Sequence, residues 1–217
     1  MTAGAEPVGT TTASTGAARV VLATHNRHKL AEVRAIMAAA GLDPAAIVSA
    51  SDLGTPAPVE DGLTFADNAL IKARALVAAT GLPAMADDSG LAVDVLGGAP
   101  GIFSARWCGR HGDDEANLRL LLDQLADVPD PHRGARFCCA AVLVTPGGAE
   151  TVEHGTLEGT LTFAPHGEGG FGYDPILVPV GETRTCAQLT SEEKNARSHR
   201  GQAFRALAPS VVRALTP

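Results

Sequence analysis

Residues 86–107 read ADDSGLAVDVLGGAPGIFSARW, two adjacent aspartates at the end of an apolar run followed by a stretch rich in Gly and Pro. Like charges that close raise each other's cost unless a cation or open solvent answers them. Asp87 and Asp88 therefore call for a metal ion, a basic partner or a solvated turn. AMADD reads as a short strand running into this motif, and Asp88-Ser89-Gly90 has turn chemistry. Strand alternation sends the two carboxylates to opposite sides, so one of them is expected to enter any given site.

Working outward, ARVVLAT (18–24) is a β-branched run ending in a polar loop, a buried strand. HKLAEVRAIMAAAG follows with helical periodicity at Leu30, Val33, Ile36 and Met37, and Gly41 stops it. AAIVSA (45–50) reads as a second strand and GTPAPVEDG (54–62) as loop. TFADNALIKARALVAATG (64–81) is a helix opened by a Thr64–Asp67 capping box and closed by Gly81. DDEANLRLLLDQLADV (113–128) is an amphipathic helix stopped by Pro129. ARFCCAAVLVT (135–145) and ETVEHGTLEGTLT (150–162) flank PGGA as an antiparallel hairpin, and PILVPV (175–180) is a short strand. Thr190 and Glu193 form a further capping box, opening a helical region towards Leu207. Strands alternating with helices and then a hairpin predict an α/β protein with a mixed sheet, a single domain over 19–217. The first eighteen residues, small, polar and nearly uncharged, read as a disordered tail without the features of a signal peptide.

Composition narrows the function. The chain has 217 residues, 45% hydrophobic and 19% charged, enough for a substantial core. Aromatics make up only 4%, so that core is built of Ala, Val and Leu. A net charge of −7 argues against a general nucleic-acid binder, and no apolar run reaches the length of a membrane span. The four cysteines form no CxxC pair and the histidines supply no zinc spacing, so free thiols and a cytoplasmic location are expected.

The remaining motifs are polar clusters at element ends. THNRHK (24–29) sits where a strand turns into a helix, and the backbone N–H groups of a helix start attract anions. Lys29 in that first turn is unfavourable for the helix dipole unless an anion joins it; a solvated loop explains the same residues equally well. Asn68 and Lys72 are four apart and share one helix face, opposite Ala69 and Leu76. They are candidate phosphate ligands with Lys29, or ordinary surface residues. Glu60, Asp61, Asp87 and Asp88 lie at loop or strand-end positions, and magnesium is held by one or two such carboxylates plus substrate phosphates. GEGGFG (167–172) matches a dinucleotide-binding pattern by chance, since no strand precedes it and no helix follows. FGYDP (171–175) offers an aromatic face and an Asp acceptor, and EEKNARSHRG (192–201) offers Lys194, Ser198, His199 and Arg200. On a straight helix Lys194 and Arg200 would stand about 240° apart, so a shared site needs a break near Ser198.

In this order the blocks LATHNRHKLAEV, GLTFADNALIKARA, ADDSGLAVDVLGGAPGIFSARW, GGFGYDPI and LTSEEKNARSHRGQA resemble the inosine triphosphate pyrophosphatase family, over about residues 19 to 205. The resemblance implies an elongated, curved mixed sheet flanked by helices, two lobes with a central substrate cleft, and a homodimer requiring Mg2+. It implies hydrolysis of the deaminated purine triphosphates dITP, ITP and XTP to monophosphate and pyrophosphate. By motif, Thr24, His25, Asn26, Arg27, His28, Lys29, Asn68 and Lys72 would bind the triphosphate. Glu60 and Asp88 would serve the metal, with Asp88 the base and Ser89 on the substrate. Phe171, Gly172, Tyr173, Asp174, Lys194, His199 and Arg200 would surround the purine. Asp87 is then expected to point away from the cleft, towards backbone amides or a basic residue. His25 replaces the family's usual Gly, and Asp67 its usual Glu. Two other readings stand beside this one: a pyrophosphatase of modified pyrimidine triphosphates, and a nucleotide-binding protein without turnover.

Overall fold

A computed structural model describes residues 19–24 and 27–216, apart from the side chain of His28. The expected tail and the loop residues His25 and Asn26 lie outside the described residues. The chain runs β1 (Val20–Leu22), α1 (Arg27–Ala39), β2 (Ile47–Ser49), α2 (Phe65–Thr80), β3 (Ala84–Val93), α3 (Asp114–Gln124), β4 (Gly134–Val144), β5 (Glu150–Leu161), β6 (Leu177–Pro179), α4 (Ser191–Arg197) and α5 (His199–Leu215). The strands form one open six-stranded sheet in the order β2-β1-β3-β4-β5-β6. β1 is parallel to β2 and β3, and the remaining pairs are antiparallel. This is the mixed α/β architecture that the sequence predicts.

Local chemistry sets the element ends. Thr64 Oγ1 accepts from the Asp67 amide at 3.1 Å and the Asp67 carboxylate accepts from the Thr64 amide at 3.0 Å, a reciprocal cap for α2. Gly81 closes that helix in a left-handed conformation, φ +67°. Ser198 breaks the last helical region: its backbone is extended and its Oγ accepts from the Gly201 amide at 3.0 Å, capping α5. α5 then runs to Leu215, past the expected end near Leu207, because Val211 and Leu207 still bury against the sheet. α3 stops at Gln124 rather than at 128, and residues 44–46 form a 3₁₀ turn rather than the start of β2.

The largest departure is at the decisive stretch. Asp88-Ser89-Gly90 is not a turn; β3 continues to Val93, paired with β4 from Ala84↔Val144 to Val93↔Ala135. The long hairpin of β4 and β5 offers β3 an equally long edge, and pairing overrides the local turn preference. Gly90 is needed where the strand meets the 3₁₀ segment Gly101–Arg106. A Cβ there would lie 2.4 Å from Ser104 Oγ and 2.5 Å from the Gly101 carbonyl.

Hydrophobic packing divides the sheet into two lobes. Over β1, β3 and β4, α1 and α5 bury Val20, Leu22, Met37, Met85, Phe204 and Leu207 on one face. α2 buries Val21, Ala73, Leu76, Ala86 and Val142 on the other. Further along β3 to β5, α3 covers Leu91, Leu121, Phe137, Leu161 and Ile176.

Candidate active site

The chain from β1 enters α1 on one face of the sheet, and the chain from β2 enters α2 on the other. Between the carboxyl ends of two such parallel strands the loops part and leave a crevice, the usual ligand position in open α/β sheets. A cleft of about 490 Å³ lies there, lined by Thr24 after β1, Pro56 to Pro58 after β2, and Lys29, Glu60, Lys72 and Asp87.

β1 ends at Leu22, opposite Met85, so among the described residues the edge of β3 beyond that point has no neighbouring strand on that side. Both faces of β3 therefore reach the cleft region. Asp88 lies on the α2 face, where Asn68 Nδ2 donates to it at 3.1 Å and Lys72 Nζ stands 3.6 Å away. Lys72 also meets Glu60 at 3.2 Å, so one ammonium is shared by two carboxylates. Asn68 is fully buried, and its Oδ1 accepts from the Gly62 amide at 2.9 Å, fixing the loop that carries Glu60. Burial raises the Asp88 carboxyl above the ordinary range, Lys72 and Asn68 pull it down, and Glu60 adds to the rise; the net shift is upward.

Asp87 does not point away from the cleft. It sits on the α1/α5 face, 3% exposed, with Lys29 Nζ at 3.4 Å and Arg200 Nε donating at 3.1 Å. Burial raises this carboxyl as well, but Lys29, Arg200 and Lys72 together outweigh it and hold it well below the usual range. The two neighbours are thus driven in opposite directions: Asp87 is locked ionised among cations, and Asp88 is the more basic carboxylate. Arg200 donates further to Ser89 Oγ at 3.1 Å and stands 3.6 Å from Glu32. That guanidinium, expected at the purine, is bound to the two residues flanking Asp88. Glu32 was not among the expected residues, although its i,i+3 spacing from Lys29 marks the shared helix face.

Four of the expected base residues, Phe171, Gly172, Asp174 and Lys194, form a second cluster. Lys194 forms an ion pair with Asp174, and its ammonium stands 5.1 Å from the centre of the Phe171 ring. The Phe171 amide donates to Asp174 at 2.8 Å, and the Phe171 ring itself is 58% exposed. Gly172 donates its amide to Asp114 at 3.0 Å. Tyr173 is buried instead, its hydroxyl donating to the Ser104 carbonyl at 2.9 Å, so its ring is core rather than a free stacking face. His199 is stacked on Phe137 with ring centres 5.1 Å apart, and its buried Nδ1 has no hydrogen-bond partner among the described residues. Burial, and then the cations Arg200 and Lys194, push the imidazole down to about 3, so it is neutral at pH 7. Gly155 of β5 admits the start of α5, since a Cβ there would lie 2.1 Å from the His199 carbonyl. Arg27 opens α1 and is exposed, and Thr24 is buried at the cleft wall. The histidine and asparagine at 25 and 26 and the side chain of His28 are not described.

Among the described residues no three His, Cys, Asp or Glu side chains converge as a metal cage. Glu60 and Asp88 nevertheless converge on one cation, Lys72, which fits a pair of carboxylates completed by substrate phosphates.

The chain is similar to known proteins over most of its length. A protein of Streptomyces coelicolor named dITP/XTP pyrophosphatase is 65% identical, covering 91% of this chain and 98% of the relative. The crystal structure of the nucleoside-triphosphatase, dITP/XTP pyrophosphatase, of Mycobacterium abscessus is 51% identical with a TM-score of 0.74, covering 89% of this chain and 99% of that one. A HAM1 protein of Coxiella burnetii superposes with a TM-score of 0.82 at 38% identity, covering 90% and 99% of the two chains. The Ham1 family pattern itself matches residues 20–210. Spanning the cleft, both aspartates and the base-side loop, that match shows that the chain belongs to the Ham1 family.

Proposed function

We propose that the protein hydrolyses the deaminated purine nucleoside triphosphates dITP, ITP and XTP to the monophosphate and pyrophosphate, clearing them from the nucleotide pool. The observation that carries this reading is the crevice beyond β1 and β2, lined by Lys29, Lys72, Glu60 and Asp87, with Asp88 behind Lys72 at 3.6 Å. The names of the relatives point to two of these substrates, dITP and XTP.

The triphosphate lies along the cleft, and the two lysines neutralise the charge that develops on departing pyrophosphate. Water attacks the α-phosphorus; its oxygen forms the new P–O bond as the bond from that phosphorus to the α–β bridging oxygen breaks. Asp88 takes the proton of the attacking water, a task suited to its fixed position against Asn68 and Lys72. Glu60 and Asp88 would hold magnesium together with the phosphates, and the ion supplies further charge neutralisation and activation of water. Asp87, clamped by Lys29 and Arg200, stays ionised and orders the cations.

At the other end the exposed Phe171 ring offers a stacking face and Lys194 a donor for the 6-oxo group of a deaminated purine. An adenine would present its 6-amino group to that donor and leave both unpaired, and a guanine, which keeps the 6-oxo group, would be excluded by its 2-amino group. The same reading carries the homodimer and the cytoplasmic location, testable by sedimentation and by cell fractionation. The decisive experiment is a panel of nucleoside triphosphates with magnesium, scored for pyrophosphate against orthophosphate. Pyrophosphate from dITP and XTP in clear excess over dATP and dGTP is expected. Orthophosphate as the direct product, or equal hydrolysis of dATP and dITP, overturns the reading.

A further inference from the structure

The loop that presents Phe171 is held residue by residue. The Phe171 amide is bound inside the loop, by Asp174 at 2.8 Å. The Tyr173 hydroxyl is bound to the Ser104 carbonyl, and Ser104 is itself fixed to β3 because its Oγ accepts from the Leu91 amide at 2.9 Å. Between them Gly172, in a left-handed conformation at φ +61°, donates its amide to the carboxylate of Asp114, the first residue of α3, at 3.0 Å. The first tether is local to the loop, and the second acts through a buried ring. The third comes from a separate element, at the residue directly after the exposed ring.

Without that acceptor Gly172 has the rotational freedom of any glycine. The ring of Phe171, which makes no part of the hydrophobic clusters, would then sample other directions. A stacking face that must be ordered on binding weakens affinity without altering the reacting groups.

We propose that Asp114 is a positioning residue for base recognition: its carboxylate holds the Gly172 amide and so sets the plane in which Phe171 meets the purine. This rests on the functional reading above only for the identity of the base. Among the described residues Asp114 has no hydrogen bond or ion pair with Lys29, Lys72, Asn68 or Asp88, and its effect is expected on binding of the nucleoside portion.

The test uses the full-length protein with Asp114→Ala, which removes the acceptor, and Asp114→Asn, whose amide oxygen keeps it. KM and kcat are measured with whichever triphosphate of the panel is turned over, and calorimetry compares binding of inosine monophosphate with binding of pyrophosphate. For Asp114→Ala, KM and the inosine monophosphate Kd should rise about three- to tenfold, the scale of one partly solvated hydrogen bond to a charged acceptor. Its kcat and its pyrophosphate affinity should stay within about twofold of the parent, and Asp114→Asn should restore nucleotide binding. The proposal is overturned if Asp114→Ala equals the parent, if pyrophosphate affinity falls in parallel, or if Asp114→Asn is as impaired as the alanine variant. A failed turnover panel would refute the hydrolytic reading and leave the calorimetric comparison intact.

Discussion

The two ends of the proposed site are built in opposite ways. At the proposed phosphate end, charged side chains neutralise one another, all but Glu60 carried on helices or strands: Lys29 with Asp87, Lys72 with Glu60 and Asp88, Arg200 with Asp87. At the base end an irregular glycine-rich loop carries an exposed ring, held by single hydrogen bonds to Asp174, Asp114 and Ser104. The first construction suits a polyanion, whose charges exchange for carboxylates already in place with little movement. The second suits a flat apolar ligand, for which orientation matters more than charge. Changes at the phosphate end should therefore cost rate or stability, and changes at the base end should cost affinity.

The largest effect belongs to Asp88. Asp88→Asn preserves the shape and the Asn68 contact but removes the proposed proton acceptor, and a positioned base contributes about a hundred- to ten-thousandfold in rate. Turnover in the pyrophosphate assay should fall by that factor while thermal stability stays at or above the parent value. The second clause follows from sign: a carboxyl whose pKa is raised by burial is less comfortable ionised in the folded chain than unfolded, so neutralising it relieves the fold. A variant that loses stability together with activity would break the distinction between the two aspartates.

Asp87→Asn should do the converse. It leaves Arg200, nearly fully buried, and Lys29 without their shared carboxylate. Removing one partner of a buried ion pair costs about 3–5 kcal/mol, and urea unfolding should register a loss of that size. Acid should sharpen the same point. His199 is neutral in the folded chain down to about pH 3, whereas in the unfolded chain it takes a proton near its ordinary value of 6.5. Between these values the unfolded chain binds more protons, so stability falls as pH drops from about 6.5 to about 3. Asp87, held low, adds a loss only below its unfolded value near about 3.9, as pH falls through its folded one. Urea midpoints from pH 7 to pH 4 should decline in the parent and decline less in His199→Gln; equal slopes would exclude the histidine as the cause.

Much of this was legible in the chain itself. The capping box at Thr64, the break at Ser198 and the strand–helix alternation are local signals, set by residues three or four apart, and the structure has them all. What was not legible depends on partners far along the chain. Asp88-Ser89-Gly90 has turn propensity, and only a hairpin some fifty residues later turns it into strand. Alternation correctly puts Asp87 and Asp88 on opposite faces, but it does not reveal that β1 ends at Leu22 and lets the cleft region reach both. Tyr173 reads as a stacking face until Ser104, 69 residues away in sequence, takes its hydroxyl. Gly90, beside the aspartates, makes room for that same Ser104, so the stretch 86–107 supports both ends of the site.

The smallest expected effect tests the base end directly. Phe171 is exposed and outside the hydrophobic clusters, so Phe171→Ala should leave the unfolding midpoint unchanged. Stacking of a base on an aromatic ring is worth about 1–3 kcal/mol, of which an exposed ring delivers the lower part, so KM should rise about tenfold. Since the ring lies in the loop cluster and the lysines and Asp88 in the crevice, kcat should hold within about twofold. Phe171→Tyr, which keeps the face, should restore KM. A fall in kcat as large as the rise in KM would mean that purine stacking also sets the phosphate in line for attack, and the division of labour between a rigid charged end and a tethered apolar one would fail at that point.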